Sequence, residues 1–468
     1  MKTKNDILIK VLSLSIGLSV GIVLIAKVFF ELSYDSFYKD IDRVYTIRNY
    51  YSQHGDEHDY GQVSGAVPVG FMEEVPGIEV GTRTTFVFNG DIYLDADGNK
   101  LKGDLVCADT CFFKVFDRPI LAGDPVQVLG KWGSVMVNRS FAEKMGGVQE
   151  CIGKQIANAD MEGLKMTIEG VFDDFPKNGS LDYDILLSMD TYGKRSTDNW
   201  LGNDRYKGYV KLAPGIDPNT LSDAIRKMQE AHQPLEQMEA QGISMRYFLS
   251  PFSTMHTSSP KVKTQVILLS IIAALLIIIS LLNYILIVIS SMVKRSKEVG
   301  VRKCYGAEGK HIYWMLTKES LLHMSLSLVI AAIIIFAGRG IVENLLGVPS
   351  QTLLVPQSIV AIAAVLLLVL VISIVVPAEL YQRIPVLAAI KNHTENSRRW
   401  KLSLIGVQVL INVFLVVMML IIGSQYQKVS NADTGYDYKN LYYFDLFDGD
   451  RHAQVRAVET LRRLPEVS

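Results

Sequence analysis

Five long apolar runs constrain this chain more than anything else in it: Val11–Ala26 with its extension Val28–Phe30, Val266–Val293, Leu321–Ala337, Ser358–Val376 and Leu402–Gly423. A helix needs about 20 apolar residues to cross roughly 30 Å of hydrocarbon, and each run is of that order. Backbone polar groups find no water inside a bilayer, and a helix satisfies them internally. The chain is not apolar throughout, however, because about 230 residues separate the first run from the second. With 49% hydrophobic and 20% charged residues it lies far from a disordered composition. A balance of 47 Lys+Arg against 48 Asp+Glu provides no electrostatic footprint for nucleic acid. Four cysteines in 468 residues cannot build a disulfide scaffold. The expected fold class is an α-helical bundle of five spans with a large α+β domain between the first and second.

The first run is not a cleaved signal. Bulky Phe29-Phe30-Glu31-Leu32 follows it, where a processing site needs small residues. It is expected to stay as an anchor, with Lys27 snorkelling from its end. Basic residues then orient the spans. Lys2, Lys4 and Lys10 precede the first, seven Lys/Arg lie between Lys294 and Glu319, and five lie between Ala378 and Lys401. Alternation puts these segments on one side, expected to be the cytoplasm, and the large domain on the other. The third span is the least apolar, since it carries His323 and several serines.

Within the large domain, Val44–Tyr51, Thr82–Phe88 and Thr167–Val171 alternate as strands. Asp95-Ala96-Asp97-Gly98 reads as a turn between Asp91–Leu94 and Leu101–Val106. Thr110–Phe116, Ser140–Met145 and a stretch after Asp217-Pro218 read as helices, with Asp217 as N-cap and Pro218 at the first position. The length suffices for its own core, expected in two lobes. A repeat links the two ends of the chain. From the first span to Val75-Pro76-Gly77-Ile78 is about 65 residues, and from the fifth to Leu464-Pro465-Glu466-Val467 about 62. Each stretch holds a span, a Tyr/Asp-rich connector and a strand, Arg43–Ile47 in one and Asn440–Phe444 in the other. Such repeats are a common way to build transporters.

Catalytic motifs are missing. No Gly-x4-Gly-Lys-Ser/Thr occurs, so no P-loop is expected, and no His-Glu-x-x-His or Gly-x-Ser-x-Gly is present. His54 and His58 are four apart, as on a helical metal site, but their acidic, Gly-containing setting reads as an exposed loop. Cys107 and Cys111 would come within bridging reach if locally helical; the plainer reading is free thiols, Cys151 included. In the spans, Ser13, Gly17 and Gly21 recur every four residues as a small-residue packing face. Asn283 and Asn412 need hydrogen-bond partners in hydrocarbon. No Asp, Glu, Lys or Arg sits mid-span, which disfavours ion-coupled transport. The 28-residue second run would measure about 42 Å as a helix, long enough to project and carry motion.

The segment Lys294-Arg295-Ser296-Lys297-Glu298-Val299-Gly300-Val301-Arg302-Lys303-Cys304-Tyr305-Gly306-Ala307 taken alone is a basic loop that fixes topology. It resembles the signature after the second span of FtsX-like (MacB-type) ABC permeases. Glu319-Ser320-Leu321-Leu322 resembles the start of their third span. Glu31-Leu32-Ser33-Tyr34-Asp35-Ser36-Phe37, Asp42-Arg43-Val44-Tyr45, Phe112–Phe116, Leu121–Pro125, Gly170-Val171-Phe172 and Asp174-Phe175-Pro176 resemble their outer domain. The family's basic amphipathic lead-in before the first span is mostly missing.

The resemblance implies a bacterial inner-membrane, multi-pass permease with a cytoplasmic N-terminus and a periplasmic domain. The expected map is 1–30 for the start and first span, 31–261 for the periplasmic domain and 262–401 for the FtsX-like region with a coupling segment at 294–319. The fifth span follows at 402–423, and 424–468 begins a second periplasmic domain, so the repeat reads as a tandem unit cut short. ATP is expected to be used by a separate cytoplasmic ABC ATPase, with no cofactor held by this chain and no enzyme activity of its own. Lys297, Glu298, Gly300, Arg302, Lys303 and Gly306 are the expected ATPase-coupling residues. Ser13, Gly17, Gly21 and Asn283 are the expected packing residues. Further expected partners are a second permease unit (tandem, homodimer or heterodimer), a periplasmic client or adaptor, and membrane lipids. The implied function is export or extraction of a peptide, drug or lipoprotein. The alternative is a non-transporting regulator or sensor, of cell-wall hydrolases or antimicrobial peptides for example, working by the same lever.

Overall fold

The computed structural model describes residues 2–86, 91–158, 164–202, 204–294, 309–382, 397–432 and 451–464. They divide into two compact units: the described residues of Met1–Ser33 and Thr257–Tyr438 form one, those of Tyr34–His256 and Lys439–Ser468 the other.

The first unit is helical. Lys2–Leu32, Pro260–Lys294, Gly309–Ala337, Pro356–Gln382 and Ser397–Ser430 are continuous helices, and each holds a stretch long and apolar enough to cross a membrane. They are spans 1 to 5 below. The five expected spans are present, and each helix extends beyond its apolar run. Span 2 is the longest at 35 residues, about 52 Å at 1.5 Å per residue. It starts at Pro260, a residue suited to a first helical turn because its missing N–H would be unsatisfied there anyway. Span 1 is central, with 44% of its apolar window buried, against 11% for span 4 and none for span 5. The common core holds Leu14 and Leu18 of span 1, Tyr284 and Val288 of span 2, Met324 and Ala331 of span 3, and Val369 and Ala378 of span 4.

The second unit is α+β, as expected. Its described strands are β1 (Val44–Gln53), β2 (Asp56–Tyr60), β3 (Ile78–Thr85), β4 (Ile92–Leu94), β5 (Lys100–Lys102), β6 (Leu105–Ala108), β7 (Ile120–Ala122), β8 (Ser134–Asn138), β9 (Gln155–Asn158), β10 (Lys165–Phe172), β11 (Ile185–Ser188), β12 (Tyr206–Leu212) and β13 (Ile243–Pro251). They form one mixed sheet in the order β13-β1-β12-β3-β6-β11-β8-β10-β9-β4-β5, with β2 on β1 and β7 on β10. The pairings β6–β11 and β8–β10 are parallel and the rest antiparallel. One sheet therefore runs through the region read as two lobes, but its waist is narrow. β3 meets β6 only at Thr84–Ala108 and Thr85–Cys107.

An aromatic cluster fills the space beside that waist. Phe112, Phe116, Phe172, Phe175, Tyr209 and Phe252 are buried together, with Phe112 ring centroids 5.5 Å from Phe116 and 6.4 Å from Phe175. Local chemistry sets several element ends. Asp217 accepts from Asn219 N–H at 3.0 Å and caps the 3-10 turn Pro218–Leu221, which runs into helix Ser222–His232. Asn138 caps helix Arg139–Lys144 by accepting from Phe141 N–H at 2.8 Å. The stretch read as one strand, Leu101–Val106, is two, because the chain turns at Gly103, whose N–H bonds Asp91 O at 2.9 Å. Beyond span 5, helix Arg451–Arg462 precedes Leu464, and in the α+β unit helix Val67–Glu74 precedes Val75. The strand expected at Asn440–Phe444 falls outside the described residues.

Candidate functional site

Lipid is as apolar as Leu, so helices in a membrane associate through close packing and polar contacts. Span 1 presents Ser13, Gly17 and Gly21 to span 2. A Cβ on Gly17 would overlap the Cβ of Ser280, and one on Gly21 would lie 2.8 Å from Ile277 Cγ1. The close approach lets Ser280 Oγ donate to Ser13 O at 2.8 Å. Asn283 faces elsewhere: its Oδ1 accepts from Gln408 Nε2 of span 5 at 2.5 Å. Asn412 lies on the exposed side of span 5. The segment holding Lys297, Glu298, Gly300, Arg302, Lys303 and Gly306 lies outside the described residues, as does Cys304.

The polar residues that made span 3 the least apolar run converge on one side of it and reach every neighbour. Glu319 accepts from Lys10 Nζ of span 1 at 2.9 Å, and that lysine is only 3% exposed. Ser327 Oγ donates to Val11 O of span 1 at 3.1 Å. His323, 1% exposed, places Nδ1 3.1 Å from Tyr284 Oη of span 2, and Tyr284 donates onward to Ser320 Oγ at 3.3 Å. Ser320 Oγ in turn donates to Ser373 O of span 4 at 3.5 Å. That carbonyl is free for a local reason. Pro377 lies four residues on within the same helix and has no N–H to give it. With the imidazole proton on Nδ1, the donors run one way, from His323 through Tyr284 and Ser320 to Ser373.

Sequence reading counted Lys10 as a flanking charge and missed this cluster. The spacing Glu319, Ser320, His323, Ser327 at i, i+1, i+4, i+8 was the signal, since these positions share a helix face. Lys27 also departs from expectation. It is buried and pairs with Glu31 at 2.5 Å, one turn away on its own helix, so it has a partner without reaching for water.

In the α+β unit, polar groups hold chain crossings. Asp35, 1% exposed, accepts from Ser180 N–H at 2.7 Å and from Ser180 Oγ at 2.5 Å. Burial pushes its carboxyl above the usual range, outweighing those bonds. Tyr34 stacks on His256 with ring centroids 3.4 Å apart, bringing together the first and last residues of Tyr34–His256. At the waist, Asp109 accepts from Thr82 Oγ1 at 2.6 Å and from the N–H groups of Arg83 and Cys111, each at 3.0 Å. A cleft of about 490 Å³ lies against β13 and helix Ser222–His232. Its Arg226 is held by Glu230 and Glu239, and its Asp59 by Arg48.

His54 and His58 lie at the β1–β2 hairpin, His54 at its turn with φ +52°, so helical spacing does not apply to them. Cys107 sits on β6 and Cys111 precedes helix Phe112–Val115, so the pair lacks the helical geometry that bridging would use. Cys107, Cys111 and Cys151 are free thiols. Among the described residues, no group of three or more His, Cys, Asp or Glu is placed to hold a metal ion.

The chain is similar to known permeases on both sides of this arrangement. The MacB-like periplasmic core domain matches residues 8–228, from span 1 into helix Ser222–His232, and the FtsX-like permease C-terminal region matches 270–386, across spans 2 to 4. Among solved structures, a domain of a protein designated a permease, from Porphyromonas gingivalis, is 34% identical over 46% of this chain and 92% of its own, with a TM-score of 0.43. The periplasmic region of MacB from Actinobacillus actinomycetemcomitans is 14% identical over 46% and 92% respectively, with a TM-score of 0.33. Comparison with curated proteins finds no match. With both family signatures in order on one polypeptide, the chain belongs to the FtsX/MacB-type permease family.

Proposed function

We propose that this ABC-type permease component carries ATP-driven conformational change from a separate cytoplasmic ATPase to its α+β domain. That domain lies on the periplasmic side of the inner membrane and acts there on a peptide, drug or lipoprotein for export or extraction. One observation carries the reading. The domain is inserted between spans 1 and 2, and these two helices are packed so closely that Gly17 and Gly21 leave no room for a side chain. A displacement of span 2 is then a displacement of span 1, and both connections to the domain move together. The length of span 2 supports the same reading, since about 52 Å exceeds a hydrocarbon thickness of roughly 30 Å. The basic segment 294–308 joins spans 2 and 3, and we place the ATPase contact there, with Lys297, Glu298, Arg302 and Lys303 as its charges. Span 5, with none of its apolar window buried, supports association with a second permease unit.

The test is to purify the tagged full chain from its native membranes into lipid nanodiscs and measure the ATP hydrolysis that accompanies it. Hydrolysis that falls on Glu298→Lys, with the amount of chain in the membrane unchanged, is the expected result. A wild-type chain that brings no ATP hydrolysis with it overturns the reading.

A further inference from the structure

We propose that Glu319, Ser320 and His323 of span 3, with Lys10, Tyr284 and the Ser373 carbonyl, form the joint that passes movement among spans 1 to 4. This rests on the permease reading above and assigns positioning residues to it.

The joint follows from placement and satisfaction together. Span 3 emerges from the 295–308 segment, and Glu319 comes ten residues after Gly309, where its described helix starts. Tyr284 lies ten residues before Lys294, where span 2 ends, and Ser373 nine before Gln382, where span 4 ends. The polar contacts therefore cluster at the end of the bundle from which both basic loops leave. Elsewhere the spans meet mainly through an apolar core, with single polar contacts such as Ser280 to Ser13 O, Gln408 to Asn283 and Tyr313 to Glu379. Here sliding must break directed bonds. Moving span 3 relative to span 1 separates Lys10 from Glu319, and moving it relative to span 4 withdraws Ser320 Oγ from a carbonyl that Pro377 leaves without a helical N–H. Buried polar groups that lose partners in a low dielectric carry a large penalty, so the four helices move as a set or exchange partners as a set.

Lys10 and Glu319 also answer a question of composition. A lysine 3% exposed within a spanning helix is retained against its desolvation when its partner is fixed, and it then couples the two elements that carry the charges.

The experiment uses the full chain with its accompanying ATPase in nanodiscs and compares Lys10→Met, Glu319→Gln, the exchanged pair Lys10→Glu with Glu319→Lys, and Ser320→Ala. The readouts are the amount of complex, kcat per ATPase, and KM for ATP. Each of Lys10→Met and Glu319→Gln is expected to lower kcat about tenfold, a usual size for coupling between sites, with KM and complex yield unchanged. The exchanged pair should return kcat to within about twofold of wild type. Ser320→Ala should lower kcat in the wild-type background and have no effect beside Pro377→Ala, which restores an N–H to the Ser373 carbonyl. Normal or raised kcat in the single variants overturns the joint. An exchanged pair as slow as the singles does so too, as does loss of the complex itself, which marks a folding contact. A wild-type chain without ATP hydrolysis removes the permease reading and the joint with it, so the two failures are distinguishable.

Discussion

The helical unit and the α+β unit solve the same problem with opposite means. In the α+β unit an aromatic cluster around Phe112, Phe116 and Phe175 is removed from water, and the sheet is carried along by that burial. In the helical unit large apolar side chains are everywhere, and many remain exposed, Ile333, Leu367 and Leu410 among them. Apolar area there cannot select one arrangement over another, because lipid satisfies it equally well. Selection passes to two sparse features, glycines that permit contact and polar groups that demand a partner. Bulk decides in one unit, and absence of bulk in the other.

Substitutions that remove bulk should therefore be worst in the α+β unit. Phe112→Ala is expected to cost about 3–5 kcal/mol, read as the shift in the denaturant midpoint of that unit followed by near-ultraviolet dichroism. A loss below about 1 kcal/mol would mean the cluster can collapse around the vacancy. Adding bulk should reverse the ranking. Gly17→Leu, meeting Ser280, should cost about 1–3 kcal/mol or more in the bundle, measured by thermal unfolding in detergent. Gly98→Ala at an exposed turn, with no atom within 4 Å of its Cβ but φ +81°, should cost less and leave the bundle unaffected. Equal effects on bundle unfolding would show that the small-residue face does not select the packing.

Removing a polar partner at the edge of the bundle should be milder. Asn283→Leu loses the bond from Gln408 and should cost about 0.6 kcal/mol, the usual average for hydrogen bonds between spans. The measurement is again unfolding in detergent, paired with Gln408→Leu. Together the two changes should cost little more than either alone, since they remove one shared bond.

The smallest effect sharpens the comparison through pH. Burial raises the Asp35 carboxyl above its ordinary value of 3.8, so the folded domain holds a proton that the unfolded chain has released. That contribution is complete below the ordinary value and is lost as pH rises through the raised one. The melting temperature of wild type minus that of Asp35→Asn should therefore fall as pH rises above 3.8 through the raised value. A difference that grows with pH would mean the Ser180 bonds outweigh burial.

Much of the fold was legible because its signals are local. A bilayer demands about 20 apolar residues in sequence, and an alternating strand or an Asp-Pro helix start needs only its neighbours. Asp217 capping at Pro218 and the strand from Val44 were visible for that reason. Reading Leu101–Val106 as one strand failed because Gly103 turns toward Asp91, a partner from another strand's approach.

What the sequence determined by itself, then, was the number of spans, the inserted α+β domain and the small-residue face of span 1, since period and length encode each of them. Which charge answers which is fixed by packing across the bundle. Lys10 precedes Glu319 by 309 positions, and neither residue carries any mark of the other. Ser320 meets the carbonyl that Pro377 frees only after spans 3 and 4 have packed. Pairing across helices is a property of docked surfaces, and a one-dimensional pattern records the need for a partner without its address.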